Sequence, residues 1–207
     1  MIEAVLCDFL GVEILEGRKI LDLGCGSGHI AESFSAGNEV VAADVVDQRT
    51  TPGKESFQFT LLDSAILPFA DGFFDVVIYN HVFYCTFDKL GQLKEIRRIL
   101  RKDGICYFAS VNRYFPFEGV TRLPLIHYLP GSMFRYIYKR IRTDDDDLFP
   151  VGYHKIIRLI EQAGFKYREY TSEIIYNAEK YHREYGLPSY LPLPKWISPT
   201  VILILMK

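Results

Sequence analysis

Residues 20 to 28 read Ile20-Leu21-Asp22-Leu23-Gly24-Cys25-Gly26-Ser27-Gly28: an apolar run ends in an acid and opens into glycine at every second position. The next stretch, His29 to Ser35, suits a helix. Glycine reaches left-handed backbone conformations at little cost and lets a ligand approach the main chain, and a helix N-terminus presents unpaired N–H groups. Strand, glycine turn and helix in that order make a cofactor cradle and point to an α/β fold. Spacing then separates the cofactors. The dinucleotide fingerprint G-x-G-x-x-G needs a third glycine at position 29, which is His29 here.

Two further acids follow strand-like runs. Glu39 to Ala43 predicts a second strand with Asp44 at its end, 20 positions after Gly24, close to the spacing of an acid that receives ribose hydroxyls. A carboxylate suits that task because it accepts from both vicinal hydroxyls. Phe57 to Leu61 predicts a third strand, ending at Leu62-Asp63-Ser64. Three acids at the ends of three successive strands point to a ligand in the crevice above a doubly wound sheet.

The loop D-x-G-x-G-x-G, with Asp22 leading it, resembles motif I of the class I S-adenosylmethionine (SAM) dependent methyltransferases. The stretch Asp63-Ser64-Ala65-Ile66-Leu67-Pro68-Phe69, followed by Asp71 to Val77, resembles the D-A-x-x-L-P-F…D-x-x-F-D-x-V signature of the UbiE-like, or type 11, branch. Leu93 to Ala109 resembles that branch's E-x-x-R-x-L-x-x-G-G-x-x-x-x-S region, with Asp103 in place of its first glycine. The resemblance implies a Rossmann-like class I methyltransferase fold: a seven-stranded, mostly parallel sheet with helices on both faces and a lid inserted after strand 5. It implies SAM as cofactor and S-adenosylhomocysteine as product. Asp22 would orient the SAM amino group, Gly24 and Gly26 would give backbone contact, and Gly28 would allow close packing. Cys25 sits in the same loop as a small side chain without chemistry. Asp44 with Val45, and Asp63 with Ser64, would hold the adenosine, Asp63 at the adenine amino group. Asn80, on the same rim, would face the methionine end.

The remaining elements follow from periodicity. Residues 1 to 16 place Val5, Leu6, Phe9, Leu10, Ile14 and Leu15 near helical spacing, predicting a helix against the sheet edge or over the cofactor mouth. Val76 to Tyr79 reads as a central strand, Asp88 to Leu100 as an amphipathic helix, and Ile105 to Val111 as the fifth strand. The basic run Lys94, Arg97, Arg98 and Arg101 reads as a solvated helix face. Val151 to Ala163 predicts a helix, Phe165 to Ile175 a sixth strand and Val201 to Met206 an antiparallel seventh. All 207 residues read as one domain.

Residues 112 to 150 break the pattern with Pro116, Pro124, Pro130 and Pro150 among aromatic residues, predicting a folded insertion over the active site. Tyr84, together with Arg113, Tyr114, Arg122 and His127 of the insertion, makes the set of candidate acceptor contacts. Aromatic walls with arginines suit an amphipathic, lipid-like or anionic small molecule. Ser132 to Arg142 alternates aromatic and basic residues: either a lid packed on its own domain or a helix on a membrane surface. Asp144 to Asp147 reads as a solvated turn, since four consecutive carboxylates cannot converge on one cation; no metal is expected.

Methyl transfer from a sulfonium relies on holding the nucleophile close, and a base is required only for a poorly acidic hydroxyl or a protonated amine. His81, after the fourth strand, is the candidate base; it reads equally as a residue closing the pocket. Tyr84, His127 and Glu118 are weaker candidates. Two rival functions remain at this level: a non-catalytic SAM-binding scaffold and an NAD-dependent oxidoreductase, the latter disfavoured by His29.

A net charge of −2 gives no attraction to nucleic acid. Cys7, Cys25, Cys85 and Cys106 form no C-x-x-C pair and read as free thiols of a cytoplasmic protein. Glu3 and Asp8 argue against an export signal. The longest apolar run, Val201 to Met206, is far below the roughly 20 residues of a membrane span, leaving only peripheral membrane contact open.

Overall fold

The computed structural model describes residues 1–49, 52–116, 124–125, 128–141, 150–182 and 194–207. Among them, seven strands form one sheet: β1 (Lys19–Leu23), β2 (Glu39–Asp44), β3 (Gln58–Leu61), β4 (Phe74–Asn80), β5 (Leu100–Val111), β6 (Lys166–Glu169) and β7 (Thr200–Met206). Their order is β3-β2-β1-β4-β5-β7-β6, with β1 to β5 parallel and β7 antiparallel to both neighbours. The chain steps outward from β1 to β3 and then returns to the far side of β1. That reversal opens a crevice above the C-terminal ends of β1 and β4.

Among the described residues six α-helices accompany the sheet: α1 (Ile2–Leu10), α2 (His29–Ser35), α3 (Lys89–Ile99), α4 (Gly131–Ile141), α5 (Tyr153–Gln162) and α6 (Thr171–Tyr176). Strand side chains alternate between two faces. Leu21, Leu23, Val77, Tyr79 and Phe108 meet Leu93 and Ile96 of α3 and Ile156 and Ile160 of α5 on one face. Ile20, Val76, Ile78, Tyr107 and Ile204 meet Val5 and Leu6 of α1 and Ala31 and Phe34 of α2 on the other. Each fully buried side chain of this size contributes roughly 1.5–3 kcal/mol, so the sheet is held from both sides. Helix α3 starts at Asp88, whose carboxylate accepts the Gly91 N–H at 2.9 Å.

Four expectations are corrected. Helix α1 lies on a sheet face, not at the edge or over the mouth: Val5 and Leu6 share one buried cluster with Ile20, Val76, Ile78, Tyr107 and Ile204, and Asp8 accepts from Tyr170 Oη at 2.8 Å and Lys180 Nζ at 2.6 Å. The sixth strand stops at Glu169: Thr171 Oγ1 accepts the N–H of Ile202 at 2.9 Å, replacing the next ladder bond, and the chain turns into α6. Strand β5 begins at Leu100, directly after α3, and residues 101–104 bulge out between the pairs Phe74–Leu100 and Val76–Ile105. The basic run of α3 is not simply solvated. Arg98 binds the Phe69 and Leu67 carbonyls at 2.8 and 2.9 Å, Asp71 at 2.7 Å and Glu95 at 2.8 Å. Arg97 donates to the Gly164 carbonyl, and Arg101 pairs with Asp75.

The two ends of the insertion are tied together by Asn112, which is fully buried. Its amide donates to the carbonyls of Trp196 and Ser198 at 2.8 and 3.0 Å, and its oxygen accepts from the N–H groups of Tyr114 and Tyr153 at 3.1 and 3.2 Å. The tetrad 144–147, Glu118, Arg122 and His127 lie outside the described residues. No helix among the described residues is long and apolar enough to cross a membrane.

Candidate active site

The glycine loop is the tightest part of the crevice. Gly24, Gly26 and Gly28 all have positive φ, at 78°, 53° and 85°, conformations that side-chain-bearing residues enter only at a cost. The N–H groups of Gly24 and Cys25 both donate to the Ala43 carbonyl, at 2.7 and 3.3 Å. A Cβ on Gly24 would sit 2.2 Å from Val82 Cγ2, and one on Gly28 2.7 Å from Phe57 Cζ, whereas at Gly26 nothing lies within 4 Å. Gly24 and Gly28 thus admit close packing, and Gly26 leaves the loop open on its outer side.

The three acids share one edge of the sheet but not one environment. Asp44 Oδ2 accepts the Gly26 N–H at 2.8 Å, and Oδ1 accepts the Val45 N–H at 2.7 Å. A carboxylate has about four lone-pair sites, so both oxygens keep acceptor capacity toward the crevice. Asp63 is exposed at the end of β3, beside Ser64. Asp22 lies deeper, paired with Ala42 and Ile78 in the sheet and only 1% exposed. Its Oδ2 accepts the Ala31 N–H of α2 at 3.1 Å. Burial, and then the charge of Asp44, push its pKa up to about 7, against the pull of the Ala31 bond.

Asp44, Val45, Asp63, Ser64 and Gly24 line one cleft of about 540 Å³, together with Leu23, Leu62, Ala65, Tyr79, Val82, Cys85, Thr86 and Gln92. Its acids stand at the β2 and β3 tips, and apolar and hydroxyl groups from β4 and the loop after it make the other wall. Tyr79 and Thr86 share a hydrogen bond of 2.7 Å between their hydroxyls, and burial raises the tyrosine pKa. Behind them Lys89, buried, donates its ammonium to the Thr86 carbonyl and lies 5.2 Å from the centre of the Phe83 ring. Burial pushes the Lys89 pKa down to about 8. The β4-side wall was the part missed from sequence. Its position after a central strand was a usable signal for Val82, Cys85 and Thr86; Gln92, on α3, gave none.

The other candidates are distributed as follows. Cys25 is buried in the loop, and burial followed by the charges of Asp22 and Asp44 pushes its thiol up to about 12, which leaves it unreactive. Asn80 ends β4 at the rim, outside the cleft lining. His81 follows with φ 59°, a left-handed conformation unusual for a non-glycine residue, and its N–H continues the ladder to the Ala109 carbonyl at 2.8 Å. The residue remains exposed, yet the protein packed around its ring lowers its pKa by desolvation, so the neutral imidazole is favoured. Tyr84 is half-buried in the same loop. Arg113 and Tyr114 stand off the cleft: Arg113 donates to the Leu129 carbonyl at 3.1 Å, and the Tyr114 ring packs on Gly152.

Residues 21–108 match the family described as the methyltransferase domain, type 11. The chain is 29% identical over 184 residues to a demethylmenaquinone methyltransferase of Bacillus velezensis, covering 79% of this chain and 78% of that protein. It is 25% identical over 183 residues to a ubiquinone/menaquinone biosynthesis C-methyltransferase of Idiomarina loihiensis, covering 77% and 70%. The fold is similar to that of a Burkholderia thailandensis 1,6-didemethyltoxoflavin-N1-methyltransferase, solved with its 1,6-didemethyltoxoflavin and S-adenosylhomocysteine, at TM-score 0.58 and 16% identity over 100% of this chain and 76% of that one. The glycine loop closed onto Asp44, the acid at each of the first three strand tips and the β3–β2–β1–β4 switch all fall within or beside the matched residues, and in these features the chain is similar to the UbiE-like class I SAM-dependent methyltransferases.

Proposed function

We propose that the methyl acceptor is an amphipathic aromatic small molecule of the quinol type, received at the apolar wall of the cleft. The observation that carries this reading is the two-ended cleft itself: Asp44 and Asp63 at one end, Tyr79, Val82 and Cys85 at the other. The names of the curated relatives favour the same chemical class. A largely apolar site with a few convergent polar groups suits a ligand with one polar head and a greasy remainder.

The residues present fit SAM. Asp44 would take the ribose hydroxyls, Asp63 and Ser64 the adenine edge, and Asp22 the amino group of the methionine moiety, with Asn80 flanking that end. Bound SAM supplies an activated methyl group. The chain's own task is then to hold the acceptor close and accept a proton from its hydroxyl. His81, kept neutral by its surroundings, is assigned that proton, accepted on a ring nitrogen. The insertion that begins at Asn112 is assigned the task of excluding water, and cysteines that form no disulfide support the reading of a cytoplasmic protein.

The test is transfer of a labelled methyl group from SAM to demethylmenaquinol held in detergent micelles. Labelled product is expected with the native chain and at least about a hundredfold less with His81→Gln, the range of general-base loss. SAM binding by calorimetry without any transfer to the quinol would reject the acceptor class and leave the cofactor site standing.

A further inference from the structure

Helix α3 holds the segment that carries Asp63 and Ser64 through one stripe of side chains. Residues three apart on a helix are neighbours on its surface, about 4.5 Å along the axis. Arg98 binds the carbonyls of Leu67 and Phe69 and the carboxylate of Asp71, and Glu95, one turn earlier, accepts the Leu67 N–H at 3.0 Å. Helix and segment therefore run in the same direction. One turn earlier again stands Gln92, which lines the cleft together with Asp63, Ser64 and Ala65. The stripe thus brings Gln92 to the side of the cleft where Asp63 stands.

Gln92 is half-buried, and its backbone N–H is taken by the Asp88 carbonyl at 3.0 Å. Its side-chain amide has no hydrogen-bond partner among the described residues. Other polar side chains of the cleft are engaged. Asp44 accepts from Gly26 and Val45, Ser64 Oγ donates to the Ile66 carbonyl at 2.9 Å, and the Tyr79 and Thr86 hydroxyls bind each other. The Asp63 carboxylate, like the Gln92 amide, has no such partner among the described residues, and the Ser64 N–H beside it has no protein acceptor there either.

These three groups differ in kind. An ionised carboxylate only accepts, a main-chain N–H only donates, and a primary amide offers an acceptor oxygen beside an NH₂ donor. Adenine matches that set. Its 6-amino group carries two hydrogens, one beside the acceptor N1 and one beside the acceptor N7. Asp63 and the Ser64 N–H suit the first side. The second side needs an acceptor and a donor next to each other, and a glutamine amide presents both, the pairing by which glutamine reads adenine in nucleic acids. We propose that Gln92 is a specificity-determining contact of the cofactor site: its oxygen accepts the second 6-amino hydrogen of the SAM adenine, and its NH₂ donates to N7. The assignment rests on the adenine placement proposed above and adds a residue of α3 to it.

S-adenosylhomocysteine and its 7-deaza analogue, in which a C–H replaces N7, separate this contact from packing. By calorimetry the native chain is expected to bind the natural compound about fivefold to tenfold more tightly, the effect of one hydrogen bond. Gln92→Met keeps the length of the side chain and removes both polar groups. It is expected to bind S-adenosylhomocysteine about tenfold more weakly than the native chain does, and to bind the two compounds alike. Gln92→Glu keeps an acceptor but has no donor for N7, and is also expected to lose the preference. A native chain indifferent to N7, or a preference that survives in Gln92→Met, would overturn the proposal. Asp63→Ala tells the two readings apart. Weaker binding there, with Gln92→Met at native affinity, removes Gln92 alone; native affinity in both variants removes the adenine placement with it.

Discussion

The Asp44 carboxylate accepts the amide N–H of Gly26 at 2.8 Å, which makes the tip of β2 and the glycine loop a single unit. One residue therefore shapes the loop and faces the cleft. Its second oxygen holds the Val45 N–H at 2.7 Å, so the carboxylate is fixed before any ligand arrives, and little ordering cost is left for binding.

Asp44→Asn is the sharpest test of that coupling. The amide keeps one acceptor and turns an NH₂ group toward either Gly26 or Val45, both of which are donors. Hydrogen bonds to charged groups contribute about 1.5–3 kcal/mol, so SAM affinity is expected to fall roughly tenfold to a hundredfold by calorimetry. Affinity equal to that of the native chain would remove Asp44 from the cofactor site.

Arg98 acts at a distance through the segment that carries Asp63 and Ser64. By binding the carbonyls of Leu67 and Phe69 and the carboxylates of Asp71 and Glu95, it pins the end of that segment to α3. Lysine offers a single ammonium and cannot reproduce a planar fork with several donors. Arg98→Lys is expected to cost about 1–3 kcal/mol in urea unfolding. It should also weaken SAM binding several-fold and raise hydrogen exchange across residues 63–71. Exchange unchanged over that span would mean the clamp is dispensable.

These two cases divide what could be read in the chain from what could not. The run from Ile20 to Ser35 was legible because apolar strand, glycine turn and helix signals agreed locally, and Asp44 because its spacing from Gly24 reflects the length of a helix and a strand. Arg98 was misread because its partners are main-chain carbonyls 29 and 31 residues away, and periodicity carries no record of them. The end of β6 was misread because Ile174 and Ile175 suit a strand or a helix alike; a hydroxyl on Thr171 taking the place of a backbone acceptor decides it. Helix α1 was recognised but misplaced, since an apolar stripe says that a face is covered and not which one.

Gly24 meets two separate constraints, and a double variant separates them. Gly24→Ala must hold φ near 78° and place its Cβ against Val82 Cγ2. Left-handed backbone costs an alanine about 1–2 kcal/mol and overpacking typically 1–3 kcal/mol, so a total loss of roughly 2–5 kcal/mol is expected in urea unfolding. Adding Val82→Ala should recover the overpacking share, measured against Val82→Ala alone. Gly26→Ala, with φ 53° and open space around it, should lose only about 1–2 kcal/mol. Equal losses at Gly24 and Gly26 would show that the Val82 contact carries no weight.

Asp22 gives the protein a pH dependence whose sign follows from its burial. Its folded pKa of about 7 stands above the value near 3.9 of an unfolded chain, so between these two the folded state holds more protons, and its stability falls as pH rises through that window. Asp22→Asn keeps an oxygen for the Ala31 N–H and carries no charge to desolvate. In urea unfolding the variant should match the native chain near pH 4 and exceed it near pH 7.5 by roughly 2–4 kcal/mol. The ionised form is costly by itself and becomes favourable once a cationic amino group lies beside it. Native affinity for SAM should therefore rise from about pH 5.5 to about pH 7.5, with proton release in calorimetry run in buffers of different ionisation enthalpy. Asp22→Asn should bind more weakly, with that rise abolished. A native chain whose affinity is flat over this range would place the SAM amino group away from Asp22 and return the residue to a purely structural tie between β1 and α2.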